Sequence, residues 1–178
     1  RRAARSGATA DRRGRRVVSD GSFRDRLRSA DDAARLVRDR DEIYLPLAPA
    51  QPAGLLAALA RRERFDDLHV LCALLQERFA LLEHPGVRVT SQFFGHVERD
   101  LVRDGVAIDH LTSDFHGLEL IARRTRPRVV ATTVSPPDED GFLSFGVHAG
   151  ATIIPFLEAA RDPERVAIAE VNARMPRT

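Results

Sequence analysis

The stretch Ser135–Gly146, with the sequence SPPDEDGFLSFG, concentrates residue types that could do chemistry. Its three consecutive acids could hold a metal ion or exchange protons, and its two serines could act as nucleophiles. However, no histidine has ligand spacing to the acids, and no histidine and aspartate relay accompanies Ser135 or Ser144. Acids in turns are usually solvated turn formers, and glycines there supply backbone geometry. We therefore expect a stiff loop, capped by Ser135, with neither a metal site nor a serine nucleophile.

Three further polar residues could take part in binding. Glu170 interrupts the apolar run Arg165–Val171, and a buried carboxylate needs a partner. Either an arginine pairs with Glu170 in a structural salt bridge, or Glu170 contributes to a cleft. Asn172 follows the same run and could line a cleft. Arg99 could bind a phosphate or a carboxylate through its guanidinium, or form a salt bridge on a helix face.

Apolar runs alternate with helical patterns along the chain, which predicts an α/β fold. Continuous apolar runs indicate strands that are covered on both faces, so we expect a mostly parallel open sheet with helices on both faces. The predicted strands are Glu42–Leu47, Leu68–Leu74, Val87–Ser91, Arg128–Val134 and Arg165–Val171, with short extended pieces at residues 109–114 and 142–146. In such a sheet, ligands bind beyond the carboxyl ends of the strands, where the Ser135–Gly146 loop and the C-terminal residues NARMPRT lie.

Amphipathic helices are predicted between these strands. The first, in SADDAARLVRDRD, turns Ala33, Leu36 and Val37 to one face. Ser29 or Asp31 would cap its amino end. Later helices are predicted in PAGLLAALARRE, in a segment that ends at Gly105, in FHGLELIARR and in GATIIPFLEAAR.

The composition limits the remaining functions. With 178 residues, 43% of them hydrophobic, the chain is long enough for one domain with a core. No apolar run approaches the roughly 18 residues of a membrane span, so no membrane partner is expected. The absence of lysine excludes a Schiff-base mechanism and a P-loop lysine. The single cysteine, Cys72, lies in the apolar run LHVLCALL, which favours a buried hydrophobe over a reactive thiol and fits a cytoplasmic compartment.

The amino-terminal residues have a different composition from the rest. Residues 1–16 hold seven arginines and one acid, about +6 in all, within a net charge of +2. Such a block repels itself and carries almost no apolar side chains, so residues 1–18 are expected to form a disordered tail. Nucleic acid could contact the tail through its phosphates, but it is not an expected partner. No aromatic residue interleaves the block, and no helix-turn-helix or zinc pattern follows it.

The loop and the last predicted strand together resemble the acetyl-CoA hydrolase/transferase family, which includes 4-hydroxybutyrate, butyrate and succinate–acetate CoA-transferases. The family shows an S-P-x-D-x-x-G-[YF]-x-S-x-G loop, then a helix, then a strand that ends E-V-N-x-x-M-P. The first motif is matched by Ser135, Pro136, Asp138, Gly141, Phe142, Ser144 and Gly146. The second is matched by Glu170, Val171, Asn172, Met175 and Pro176. An upstream family element is matched by Phe94, Gly95, Arg99 and Gly105.

The resemblance implies that residues 19–178 form the N-terminal domain of such an enzyme, truncated before a C-terminal half of similar α/β fold. It implies a coenzyme A thioester and a small carboxylate as substrates, no bound cofactor, and a homo-oligomer in the full enzyme. A glutamate of the C-terminal half would attack the acyl-CoA to give a mixed anhydride, and the released CoA thiolate would then form an enzyme–CoA thioester. A second carboxylic acid collects the CoA, or water reacts instead and the result is hydrolysis.

The catalytic glutamate is therefore expected outside this chain, and the catalytic residues within it are unknown. The residues implied to bind substrate are Ser135, Pro136, Gly141, Ser144, Gly146, Asn172 and Arg99. One departure concerns the turn after the first strand, where the family has glycines and this chain has LPLAPAQPAG. An alternative therefore remains open, namely a stand-alone, non-catalytic α/β module that binds acyl-CoA or a partner protein.

Overall fold

Six parallel strands form one open sheet in the computed structural model, which describes residues 23–178. The strands are β1 (Arg40–Leu47), β2 (Asp67–Ala73), β3 (Val87–Ser91), β4 (Ile108–His110), β5 (Val129–Val134) and β6 (Val166–Val171). Their order across the sheet is β4-β3-β2-β1-β5-β6, and every neighbouring pair is parallel. The prediction of an α/β fold with a mostly parallel open sheet is confirmed. The predicted tail, residues 1–18, lies outside the described residues.

Helices cover both faces of this sheet. They are α1 (Ala30–Ala34), α2 (Ala53–Ala60), α3 (His96–Arg103), α4 (Phe115–Thr125) and α5 (Ile153–Arg161), with 3₁₀ turns at Ala80–Glu83 and Gly150–Thr152. Leu59 of α2 and Leu101 of α3 pack on one face, whereas Ala122 of α4 and Ala159 of α5 pack on the other. Within residues 23–178, no helix combines the length and the apolar composition that crossing a membrane requires.

The strand order places a topological switch point between β1 and β5. From β1 the chain winds outwards through β2, β3 and β4, and it then returns to the other side of β1 to form β5 and β6. At such a point the loops that follow the two central strands diverge and open a crevice at the carboxyl edge of the sheet. The Ser135–Gly146 loop follows β5 at this edge.

The central strands are buried on both faces, which explains their continuous apolar sequences. Successive side chains of a strand point to opposite faces, so Ile43 packs in the layer that contains α2, and Tyr44 packs in the layer that contains α4 and α5. Cys72 is fully buried in the first of these layers. The prediction that Cys72 is a buried hydrophobe is therefore confirmed.

The burial of Cys72 and Tyr44 predicts a loss of stability in alkaline solution. Burial raises the pKa of the Cys72 thiol from 9.0 to about 12, and the nearby Glu98 carboxylate adds to this rise. Burial also raises the pKa of the Tyr44 hydroxyl. The unfolded chain therefore releases protons that the folded chain retains, so we expect the free energy of unfolding to fall as the pH rises above about 9.

Urea unfolding at about pH 8 and about pH 10.5 measures this loss. Cys72→Ala removes one of the two groups, so its free energy of unfolding should fall less steeply over the same interval. If the free energy of unfolding fell equally between the two pH values for the native chain and for Cys72→Ala, the contribution of the thiol would be contradicted.

The first helix is shorter than the sequence predicts. Ser29 caps α1 as expected, but the helix ends at its fifth residue. Arg128 donates from Nη2 to the Leu36 carbonyl at 2.6 Å, and the Asp41 carboxylate accepts the Arg38 N–H at 2.9 Å. These contacts occupy backbone groups that a longer helix would need. Leu36, which was predicted to face inward, is consequently 50% exposed.

Candidate functional site

The Ser135–Gly146 loop leaves β5 and folds back on its own first residue. The Ser135 N–H donates to the Ser144 carbonyl at 2.8 Å, and the Ser135 hydroxyl accepts the Ser144 N–H at 3.0 Å. Ser135 thus caps the turn, as predicted. The extended piece predicted at residues 142–146 forms no strand, because its backbone bonds to the first half of the loop instead of to the sheet.

Asp138 organises the tip of the loop. Its Oδ1 accepts the Asp140 N–H at 3.1 Å and the Phe142 N–H at 2.7 Å, while its carbonyl accepts the Gly141 N–H at 2.9 Å. Gly141 has a φ of +81°, a backbone conformation that residues with a side chain rarely adopt. The Asp138 carboxylate therefore shapes a turn.

Arg177 fastens this loop to the end of the chain, and sequence reasoning missed it. Its Nη1 donates to the Pro136 carbonyl at 2.8 Å, to the Phe142 carbonyl at 3.2 Å and to the Ser135 hydroxyl at 3.3 Å. Its Nη2 pairs with Asp138 Oδ2 at 2.7 Å. One guanidinium thus joins the start of the loop, Asp138 at its tip and Phe142 in its second half. The three acids of the loop and the two arginines of NARMPRT were the only available signal of this pairing.

The C-terminal segment, Asn172–Thr178, lies directly against the second half of the loop. Gly146 has a φ of +62°, and a Cβ at this position would lie 2.5 Å from Met175 Cγ and 2.8 Å from the Pro176 carbonyl oxygen. Met175 is buried by this contact. The Thr178 N–H donates to the Ser144 hydroxyl at 3.3 Å. The loop and the C-terminal segment therefore form one packed unit at the carboxyl edge.

Six of the seven residues implied to bind substrate belong to this unit. They are Ser135, Pro136, Gly141, Ser144, Gly146 and Asn172. Asn172 is exposed, and its Oδ1 accepts the Arg174 N–H at 2.9 Å. The structure does not bring Arg99 to them, because α3 follows β3, three strand positions or about 14 Å from β5. The Arg99 guanidinium donates to the Phe94 carbonyl at 3.1 Å. A role in substrate binding stays a prediction for all seven.

Within residues 23–178, Glu170 does not form the salt bridge with an arginine that the sequence suggested as one alternative. Its Oε1 accepts the Gly54 N–H at 3.2 Å, and its Oε2 accepts the Leu55 N–H at 2.8 Å. These are donors of the first turn of α2, where the helix has no partners of its own for them. A carboxylate at this end also interacts favourably with the helix dipole. Glu170 of β6 therefore caps α2.

The loop between β1 and α2 fills the switch point with its own atoms. The Ala50 carbonyl accepts the Thr133 N–H at 2.9 Å, which ties the loop to β5. The Gln51 side chain turns towards β1 and β2, where Nε2 donates to the Pro46 carbonyl at 3.0 Å and Oε1 accepts the Gln76 N–H at 3.0 Å. Gln51 is buried. This turn is therefore tied to β1, to β5 and to the residues that follow β2.

Removing the Glu170 carboxylate should measurably weaken the fold. Glu170→Ala leaves two N–H groups of α2 without an acceptor, so we expect the free energy of unfolding to fall by about 1–3 kcal/mol in urea denaturation. Glu170→Gln keeps one acceptor oxygen and should lose less. Glu164→Ala, at an exposed position next to the same strand, is the matched control and should change little. Equal losses for Glu170→Ala and Glu164→Ala would contradict the capping role.

Comparison with known proteins gives CoA transferases among the relatives. The chain is 29% identical over 163 residues to a succinyl-CoA:cyclohexane-1-carboxylate CoA transferase of Geobacter metallireducens. The aligned region covers 88% of this chain and 35% of that transferase. It is 26% identical over 164 residues to a 4-hydroxybutyrate coenzyme A transferase of Clostridium kluyveri, with 88% and 36% covered. No family model matches the chain.

Solved structures share this fold. RipA from Yersinia pestis superposes with a TM-score of 0.73 at 26% identity, over 87% of this chain and 38% of RipA. A 4-hydroxybutyrate CoA-transferase from Porphyromonas gingivalis superposes with a TM-score of 0.59 at 25% identity, over 86% of this chain and 35% of the transferase. The chain spans about a third of the length of the proteins that it matches. The resemblance to the acetyl-CoA hydrolase/transferase family is thus confirmed, and over most of its length this chain is homologous to CoA transferases.

Proposed function

We propose that this chain is the N-terminal half of an acyl-CoA:carboxylate CoA-transferase or acetyl-CoA hydrolase and forms one wall of its acyl-CoA cleft. The observation that carries the proposal is the loop of residues 135–146, which is held at the carboxyl edge of a parallel sheet in a chain homologous to CoA transferases. This is the edge at which open α/β sheets bind their ligands.

The residues of the loop divide into those that hold it and those that face solvent. Ser135 is fully buried and its hydroxyl donates to the Pro136 carbonyl at 2.9 Å, so we assign it to holding the loop. Ser144 is partly exposed, but its hydroxyl already accepts the Gly146 N–H at 3.0 Å and the Thr178 N–H at 3.3 Å, so it also holds the loop. Gly141 is partly exposed and Asn172 is exposed, so they can reach a ligand. Pantetheine carries amide groups, which such backbone and side-chain polar groups can bind. Binding energy from this arm would then assist the reaction at the thioester.

The chemical step itself belongs to a glutamate outside these residues. In this proposal that glutamate attacks the acyl carbon and the CoA thiolate departs, which gives a mixed anhydride. The thiolate then attacks the enzyme's carbonyl and expels the acyl carboxylate, and a second small carboxylate finally collects the CoA. The contribution of the present chain is to orient the CoA arm. A C-terminal half and a homo-oligomer belong to the same proposal.

Titration of the ¹⁵N-labelled chain with acetyl-CoA tests this function. A single wall makes only part of the contacts of a complete cleft, so we expect weak, millimolar binding and no CoA transfer by the chain alone. Amide shifts should be confined to residues 141–146 and 172–178. They should shrink in Arg177→Ala, whose loop loses its fastening, but not in Arg88→Ala, which lies at the start of β3 at the opposite edge. Shifts elsewhere in the sheet, or none at millimolar acetyl-CoA, would overturn the proposal.

The alternative of a stand-alone, non-catalytic module has one structural observation in its favour. The turn after β1 is closed by the buried Gln51 side chain, where the family has glycines. A module that had kept binding without chemistry should bind acetyl-CoA or CoA with a submillimolar dissociation constant. The same titration therefore separates the two proposals by affinity.

A further inference from the structure

A groove of about 530 Å³ lies between α4 and α5, at the end of the molecule opposite the loop of residues 135–146. Both helices end there, at the amino edge where β5 and β6 begin. The charged residues that line the groove are Arg123, Arg124, Arg126, Arg165, Glu158 and Asp162. Four guanidinium groups thus face two carboxylates, which leaves a formal excess of two positive charges.

The two carboxylates are already paired with two of the arginines. Arg123 Nε donates to Glu158 Oε1 at 3.0 Å, and Arg126 Nη2 donates to Asp162 Oδ2 at 2.9 Å. Arginines near the carboxyl end of a helix are common, because the helix dipole favours them. The dipole alone does not account for a groove in which further arginines converge on pairs that are already neutral.

Arg124 and Arg165 supply the uncompensated charge. Within residues 23–178, neither guanidinium has a carboxylate partner within ion-pair distance. Arg165 is partly buried, and its Nε donates to the Pro127 carbonyl at 3.0 Å, which fixes its head group in the groove. Burial lowers the pKa of Arg165, and the charge of Arg126 lowers it further, while the Asp162 and Glu158 carboxylates offset part of this fall.

We propose that this groove binds a small anion that carries two linked anionic groups, either phosphates or carboxylates. The planar guanidinium group donates two parallel hydrogen bonds to either of these groups. Arg124 and Arg165 provide two such guanidinium groups, one from α4 and one from the loop before β6. The bound anion would neutralise both and bridge the two elements. The site is independent of the proposed acyl-CoA cleft, because it lies at the other edge of the sheet.

Isothermal titration calorimetry with inorganic pyrophosphate and, separately, with succinate tests the site at constant low ionic strength. Saturable one-to-one binding of pyrophosphate identifies a phosphate ligand, and that of succinate identifies a dicarboxylate. Arg124→Ala removes an exposed side chain. Arg165→Lys keeps the positive charge but removes the planar group that donates two parallel hydrogen bonds. Each should raise the dissociation constant roughly tenfold, the effect of one charge-assisted hydrogen bond.

Arg38→Ala removes the same charge from an exposed position on the other side of the sheet and should leave the dissociation constant within about twofold. If neither anion binds saturably, the proposal is overturned. It is equally overturned if Arg38→Ala weakens binding as much as Arg124→Ala does, because the attraction would then be unspecific.

Discussion

Replacing Glu98 by alanine should lower the free energy of unfolding by about 3–5 kcal/mol, because two backbone N–H groups inside the protein lose their acceptor, whereas the Ser91 hydroxyl keeps the Phe93 carbonyl as an acceptor. Glu98 is fully buried at the start of α3. Its Oε1 accepts the Leu75 N–H at 2.7 Å and the Ser91 hydroxyl at 3.1 Å, and its Oε2 accepts the Gly95 N–H at 2.9 Å. One carboxylate therefore joins the exits of β2 and β3 to the first turn of α3.

Urea denaturation of Glu98→Ala measures this loss, with Asp100→Ala as the control in the same helix. Asp100 forms an exposed pair with Arg103, which contributes about 1 kcal/mol or less. Glu98→Gln keeps one acceptor oxygen and should fall between the two. If Glu98→Ala and Asp100→Ala were equally stable, the carboxylate would not have the anchoring role that its hydrogen bonds indicate.

A methyl group at Gly146 should separate the loop from the C-terminal segment. The added Cβ would overlap Met175 Cγ and the Pro176 carbonyl oxygen, and the φ of +62° is unfavourable for alanine. Left-handed strain costs about 1–2 kcal/mol and overpacking a further 1–3 kcal/mol, so Gly146→Ala should lose about 2–5 kcal/mol. Hydrogen exchange should also accelerate at Ser144 and Met175, since their amides are protected by the packed unit.

Gly105→Ala is a matched control for Gly146→Ala. Gly105 has a φ of +92°, yet a Cβ there would meet nothing within 4 Å. This substitution therefore carries the backbone strain without the steric overlap, and it should cost only about 1–2 kcal/mol. If the two variants lose the same stability, and exchange at Ser144 is unchanged in Gly146→Ala, the contact with Met175 does not hold the segment in place.

The sequence predicts best the parts of the fold that depend on local composition. β5 and β6 are found within one residue of their predicted bounds, because a run of β-branched and small apolar residues specifies a strand buried on both faces. The turn at Ser135 was also predicted, since its glycines and acids act over a few residues. The prediction of the first helix is wrong beyond the fifth residue of α1, because Arg128, far along the chain, donates to the Leu36 carbonyl.

The partners of the charged site residues could not be predicted in the same way. Glu170 binds backbone N–H groups of α2. Almost every residue has such a donor, so the sequence does not show which one a carboxylate will bind. Besides the Asp138 carboxylate, Arg177 binds two backbone carbonyl groups and one hydroxyl group of the loop. With so many arginines in the chain, composition alone does not single out the one that folds back onto the loop.

The bond between Glu170 and the start of α2 also determines when this protein can complete its fold during synthesis. Glu170 lies 116 positions after Gly54, so the ribosome releases the first crossover of the sheet long before the residue that caps it. Until β6 emerges, the first N–H groups of α2 can bond only to water. Contacts between such distant residues slow folding, since a long loop must close before they form. A nascent chain that stops short of β6 therefore carries α2 without its cap, and the first crossover of the sheet becomes fully stable only when β6 is in place.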